Sequence, residues 1–257
     1  ALNSDVLVDI ELNQVFHLHN TTEQKVTVVY KKLPKELISD VNSILEIDES
    51  DKVLSHELFQ GGDKEAYNMS TDIFVVDTPF LIAKLEEEAA KEEPRKLRYV
   101  LRDLAVAENA FAYEYTGYLS NIHSVKAYFD ANLDMLESHK FYKLFAPNQK
   151  VYTKVKNEEP TYYSDSSEVK LSQFASGSIV RGKVENSVIS RNVDLSEGSS
   201  VSHSILFPRV KVAKGATVEY AIVDKGVEIA EGVTIRGTEN NPVVIKKGSV
   251  VTEDIVR

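Results

Sequence analysis

The sequence predicts a two-part protein: an α/β domain over residues 1–146, then a linker and a parallel β-helix over 147–257. Two observations predict the second part and one the first. A seventeen-residue repeat places Val184, Val201, Val218 and Ile235 in phase, with further aliphatic columns at Val188/Ile205/Ile222, Ile189/Leu206/Val223, Val193/Val210/Val227 and Leu195/Val212/Ile229. Gly198, Gly215 and Gly232 punctuate each copy. Apolar residues come in pairs or alternate, as in Val193-Asp194-Leu195, which is strand periodicity. Coils of short strands that bury a shared aliphatic interior satisfy both patterns. Ahead of the repeat, β-branched runs alternate with apolar residues at helical spacing, the signature of an α/β domain.

Taken in order, Leu2 to Ile10 reads as a strand, and Leu12, Val15, Phe16 and His19 as one helix face. Val26 to Tyr30 is a buried β-branched strand. Ile44–Ile47 and Val53–Leu58 form a hairpin around Asp48-Glu49-Ser50-Asp51. Gly61-Gly62-Asp63 is a loop, and residues 72–77 are a strand. Thr78-Pro79 then starts a helix, with the threonine as cap and the proline pre-set for the first turn. That helix ends in Glu86-Glu87-Glu88, which reads as a solvated face. Leu97 to Leu104 is a further helix, residues 110–115 a strand, and Ser124 caps a long helix reaching Leu136. Residues 139–175 read as a polar linker, and Val243 to Val251 as an irregular last rung. All five columns are expected inside the coil.

Composition narrows the function. The 257 residues include no cysteine, so disulfides and thiolate metal sites are excluded, which suits a reducing cytoplasm. Net charge is −10, the wrong sign for nucleic acid or an anionic membrane. No apolar run is long enough to span a bilayer. The opening Ala1-Leu2-Asn3-Ser4 lacks methionine and suggests a chain that begins inside a domain.

Two stretches of the first domain, joined to this kind of β-helix, resemble bacterial glucose-1-phosphate adenylyltransferase (ADP-glucose pyrophosphorylase). Gly117-Tyr118-Leu119-Ser120-Asn121-Ile122-His123-Ser124, followed by Ala131-Asn132-Leu133-Asp134, is similar to the family's Gly-Tyr-Trp-x-Asp-(Ile/Val)-Gly-Thr and Ala-Asn-Leu-Asp. Leu2-Asn3-Ser4-Asp5 looks like its Leu-Ser-Gly-Asp, and Val151 to Val155 like the lead into its coil. The resemblance implies the C-terminal part of a Rossmann-like nucleotidyltransferase domain, a left-handed β-helix and an oligomer. The glycine-rich phosphate loop of the family is absent.

The departures shape the functional expectation. The family's magnesium site uses two aspartates. Asp5 matches one, Asn121 replaces the other, and His123 replaces the adjacent glycine. Magnesium favours carboxylate oxygens, so the pair reads as a vestigial metal site and no cofactor is expected in this fragment. Ser70 matches a sugar-binding serine, but Thr71-Asp72 replaces Met-Gly, and no Glu-Lys-Pro occurs at His56 to Gln60. No catalytic residue is expected. The pattern resembles the non-catalytic D-type subunit, which implies a catalytic adenylyltransferase subunit as partner, a homo- or hetero-oligomer and a place in glycogen biosynthesis. Two alternatives remain open: a catalytic nucleotidyltransferase when full length, and a β-helix acyltransferase using His203. The column partners of His203, Asn186 and Tyr220, mark it as a surface corner instead.

Overall fold

The computed structural model describes Ala1, residues 5–145 and residues 152–257. The sequence readings at Leu2-Asn3-Ser4 and Val151 lie outside the described residues. Contacts divide the chain into two compact units, Ala1–His123 and Ser124–Arg257. This division falls ahead of 146/147 because the helices after Ser124 go with the coil.

The first unit is built on a five-stranded sheet. Its elements are β1 (Val6–Val8), α1 (Leu12–Thr21), β2 (Val26–Pro34), β3 (Ser43–Ile47), β4 (Val53–Leu58), β5 (Ala66–Val76), α2 (Thr78–Ala89), α3 (Leu97–Ala107), β6 (Phe111–Glu114) and β7 (Leu119–Asn121). The sheet order is β4-β3-β5-β2-β6, and β1 and β7 form a separate antiparallel ribbon. Strands β2 and β6 are parallel, and the other pairs are antiparallel. Helix α3 covers Val26, Val28, Leu45, Val53 and Phe74 with Val100, Leu101, Leu104 and Ala105. The hairpin turn forms as read: Asp48 Oδ1 accepts from the Ser50 and Lys52 amides at 2.8 and 2.9 Å, and Asp51 is left-handed at φ 58°.

Three local readings change. Thr78 is the first residue of α2 and Asp77 is its N-cap, without a side-chain cap bond. The Asp77 carboxylate lies instead 3.4 Å from His19 Nε2, whose Nδ1 meets Thr27 Oγ1 at 2.8 Å. Strand β5 starts six residues earlier than read, at Ala66, because a bulge interrupts its alternation. Glu88 is not part of a solvated face. It is 5% exposed, accepts from the Arg95 amide and Nε at 2.9 and 3.0 Å, and also meets Lys91. The Arg95 and Lys91 hydrogen bonds hold its carboxyl at about 2.

The second unit opens with α4 (Val125–Leu133), capped by Ser124 Oγ on the Ala127 amide at 3.1 Å, a single 3₁₀ turn at Asp134–Leu136 and α5 (Ser138–Leu144). The predicted long helix thus breaks at Leu133, and α5 stands where linker was expected. The coil follows as three parallel sheets of six, six and five strands. Its first rung is β8 (Tyr162–Tyr163), β9 (Glu168–Lys170) and β10 (Gln173–Phe174), inside the region read as linker. It escapes the repeat because Val169 pairs with Val184 at a separation of fifteen, not seventeen. Its inward positions are also bulky: Tyr163 and Phe174 meet edge-on at 5.4 Å and close that end of the interior. The last rung forms at Val243–Ile245 and Val250–Val251 as expected, and Ile255–Val256 adds a third strand to it.

The interior holds four of the five predicted columns, including Val184/Val201/Val218/Ile235 and Ile189/Leu206/Val223. The fifth, Val188/Ile205/Ile222, faces outward. Ile205 and Ile222 are buried by Phe129 of α4, with Tyr128 and Leu133 beside it. Neighbouring strand residues point to opposite faces, so in a pair such as Ile205-Leu206 only one side chain can face in. Gly198, Gly215 and Gly232 occupy turns at φ +73°, +68° and +72°, where a β-carbon would be strained.

One corner carries a serine ladder. Left-handed Leu171, Asn186, His203 and Tyr220 precede Ser172, Ser187, Ser204 and Ala221. Each serine hydroxyl donates to the carbonyl two residues back, at Lys170, Glu185 and Ser202 respectively. Each also accepts the amide of the next corner, at Ser187, Ser204 and Ala221, all at 3.1 Å. The side chain thus serves a backbone donor that the turn takes out of the strand ladder. Ion pairs such as Lys183–Glu168, Lys170–Glu185 and Lys211–Glu228 join adjacent rungs on the surface.

Candidate functional site

The ribbon brings together two of the three residues singled out in the sequence. Val6 pairs with Asn121, and the Ile122 amide donates to the Asp5 carbonyl at 2.8 Å. Asp5 and Asn121 are therefore neighbours across β1 and β7, as two groups sharing an ion must be. The ribbon sits on the sheet through Val6 and Leu119, which pack with Leu33, Ile38, Tyr67 and Met69.

Asn121, however, is already engaged. It is 8% exposed. Its Nδ2 donates to the Leu37 carbonyl at 3.1 Å and to Asn42 Oδ1 at 2.8 Å, and its Oδ1 accepts from Asn42 Nδ2 at 3.2 Å. Asn42 Oδ1 also accepts from the Ser39 amide and hydroxyl at 2.9 and 3.0 Å. Asn42 and Asn121 thus form a reciprocal amide pair. His123 turns back toward its own strand, with Nδ1 3.2 Å from the Asn121 carbonyl. Among the described residues, no three His, Cys, Asp or Glu side chains converge to hold a metal ion. A neutral amide with both its oxygen and its nitrogen occupied does not fit magnesium.

Ser70 lies on β5, apart from the ribbon, and is turned inward. It is 6% exposed and its Oγ accepts the Asp72 amide at 3.2 Å. The bulge puts Thr71 and Asp72 of β5 opposite the junction of Val29 and Tyr30, and Asp72 takes φ 52°, a conformation natural to glycine and tolerated by aspartate. Thr71 Oγ1 donates to the Val29 carbonyl at 2.8 Å and fixes the kink.

The Asp72 side chain then does what glycine could not. Its carboxylate accepts Arg102 Nε and Nη2 at 3.2 and 2.8 Å and Arg98 Nη2 at 3.1 Å. Sequence reasoning missed this cluster and the Asn42 partner. The signal was there in part: Arg98 and Arg102, four apart on an otherwise core-facing helix, require an acidic partner if buried. His203 stays at its corner, with Nε2 3.1 Å from Asn186 Nδ2 and its ring stacked on Tyr220 at 4.8 Å. Among the described residues no carboxylate hydrogen-bonds its ring, as an orienting partner of a general base would.

A mixed α/β sheet followed along the chain by a parallel β-coil of hexapeptide type defines the class of protein. The family described as "GlmU-like, C-terminal hexapeptide" matches residues 157–256. The chain is similar to the glycogen biosynthesis protein GlgD of Bacillus subtilis, 34% identical over 77% of this chain and 55% of that protein. It is 53% identical to GlgD of Geobacillus stearothermophilus over 49% of this chain and 37% of that protein. It is also 24% identical to the glucose-1-phosphate adenylyltransferase of Thermosipho africanus, over 78% of this chain and 48% of that protein. The chain thus spans about half the length of the relatives it matches over most of its own length, and the resemblance read in the sequence holds.

Proposed function

We propose that this chain is part of a non-catalytic subunit of a glucose-1-phosphate adenylyltransferase, acting in glycogen biosynthesis in the cytoplasm beside a catalytic subunit. That enzyme converts ATP and glucose 1-phosphate to ADP-glucose and diphosphate. The observation that carries this reading is the Asn42–Asn121 amide pair, because Asn121 stands, by resemblance, where the catalytic family has a metal-binding aspartate. Ser70 supports it, because its hydroxyl is turned inward and accepts its own strand's Asp72 amide. On this reading the chain holds no magnesium of its own and acts through contact with its partner, the coil serving as scaffold.

The test uses the full-length protein. Alone it should form no ADP-glucose. Added to the catalytic subunit, it should change turnover, substrate affinity or effector response severalfold. Turnover by the full-length protein alone, or a partner indifferent to its presence, overturns the reading.

A further inference from the structure

A buried histidine beneath α3 has no part in the proposed function. The His56 side chain on β4 is 0% exposed. Its Nε2 lies 2.9 Å from Ser43 Oγ and 3.9 Å from Asp72 Oδ1, and its ring stacks on Phe74 with centroids 6.0 Å apart. Its Nδ1 is buried without a hydrogen-bond partner. The surrounding groups come from three elements: the Ser43 hydroxyl from β3, Asp72 from β5, and Arg98, Arg102 and Asp103 from α3. Serine, histidine and aspartate here do not make a hydrolytic triad. Ser43 and Asp72 meet the same ring nitrogen, and Ser43 is 1% exposed, closed to any substrate.

We propose that His56 is an acid-sensitive latch: proton uptake on its ring releases the β3–β4 hairpin from α3. A neutral imidazole suits this pocket, since it accepts or donates one bond to Ser43 and stacks on an aromatic ring. An imidazolium does not. It would be a desolvated cation beside Arg102, and the carboxylate against its ring nitrogen, Asp72, is already shared by two guanidinium groups. Burial is the main cause, with Arg102 adding to it and Asp72 and Asp103 opposing, and the balance pushes His56 down from 6.5 to about 4.

The direction follows by linkage. The folded state binds the proton less readily than the unfolded state does. The latch is therefore fully closed above pH 6.5 and loosens as pH falls toward 4. Its opening constant rises about tenfold per pH unit, or by a few hundredfold across the window. Below pH 4 both states carry the proton and this contribution flattens. At neutral pH the latch is silent.

Hydrogen exchange by mass spectrometry on the intact chain, corrected for intrinsic rates, reads this directly. Peptides spanning residues 43–58 and 97–107 should lose protection about tenfold per unit between pH 6 and pH 4.5. Peptides spanning residues 184–235 should not. In His56→Phe, which keeps a ring against Phe74 but cannot take a proton, the acid slope should vanish. Unchanged protection at pH 4.5 overturns the proposal, as does equal loss in the coil or a slope that survives in His56→Phe. The wild-type measurement decides the matter even if the variant does not fold.

Discussion

At position 72 one side chain replaces another residue's conformational freedom with an ionic anchor. Aspartate accepts the left-handed backbone of the β5 kink at modest cost and gains three hydrogen bonds from α3. Asp72 and Arg102 are both 8% exposed, so water screens the pair little. Removing one partner leaves a stranded buried charge. Arg102→Ala should therefore lose about 3–5 kcal/mol in chemical denaturation, and Arg102→Lys less, since it keeps the charge but not the fork. An alanine variant within about 0.5 kcal/mol of wild type would show that Arg98 and water take over the carboxylate. Asn121 behaves differently, because its bonds are neutral. Asn121→Asp removes the donor to the Leu37 carbonyl and should cost about 1–3 kcal/mol, measured in the same way. The departures at 72 and 121 were legible in the sequence as unusual residue types. Their partners were not: Asn42 lies 79 residues from Asn121, and Arg102 lies 30 from Asp72. A single sequence carries no record of such distant pairing.

The coil shows what periodicity can and cannot decide at the scale of an element. A repeat of seventeen gives stacked strands, and the observed pairing Val184↔Val201↔Val218↔Ile235 follows it in register. Sidedness is a different matter, because Ile205 and Leu206 are equally apolar and face opposite ways. Ile205 is apolar because α4 lies on it, so the pattern of one element was set by another. Ile205→Asp should accordingly detach α4 and leave the coil standing: trypsin should cut faster between 125 and 144 while residues 184–235 keep their exchange protection. Unravelling of the whole coil would return Ile205 to the interior. Ser204 tests the corner ladder. Ser204→Ala leaves the Ala221 amide buried without its acceptor, at a cost of about 1–3 kcal/mol. The missed first rung has the same lesson in reverse. Spacing of fifteen and aromatic inward residues belong to an end that closes the stack, where repetition has no reason to persist.

For the molecule as a whole, the change of periodicity along the chain revealed two bodies, but not where one stops. The two α-helices after Ser124 look like a continuation of the α/β pattern, whereas the structure groups them with the coil, on which α4 packs at Ile205 and Ile222. Two bodies with separate cores should unfold separately. The first depends on buried charge and a neutral histidine, the second on stacked aliphatics and backbone ladders, so different substitutions should reach them. In differential scanning calorimetry we expect two transitions. Arg102→Ala should lower one by on the order of 10 °C and leave the other in place, while Ser204→Ala should lower only the other, by several degrees. Moving from pH 7 to pH 5 should mimic Arg102→Ala in kind, because the His56 contribution is present above 6.5 and fades as pH falls toward 4. A single transition that every one of these changes moves together would mean that the two cores melt as one, and that the acid response of β3–β4 cannot be confined to its own half of the chain.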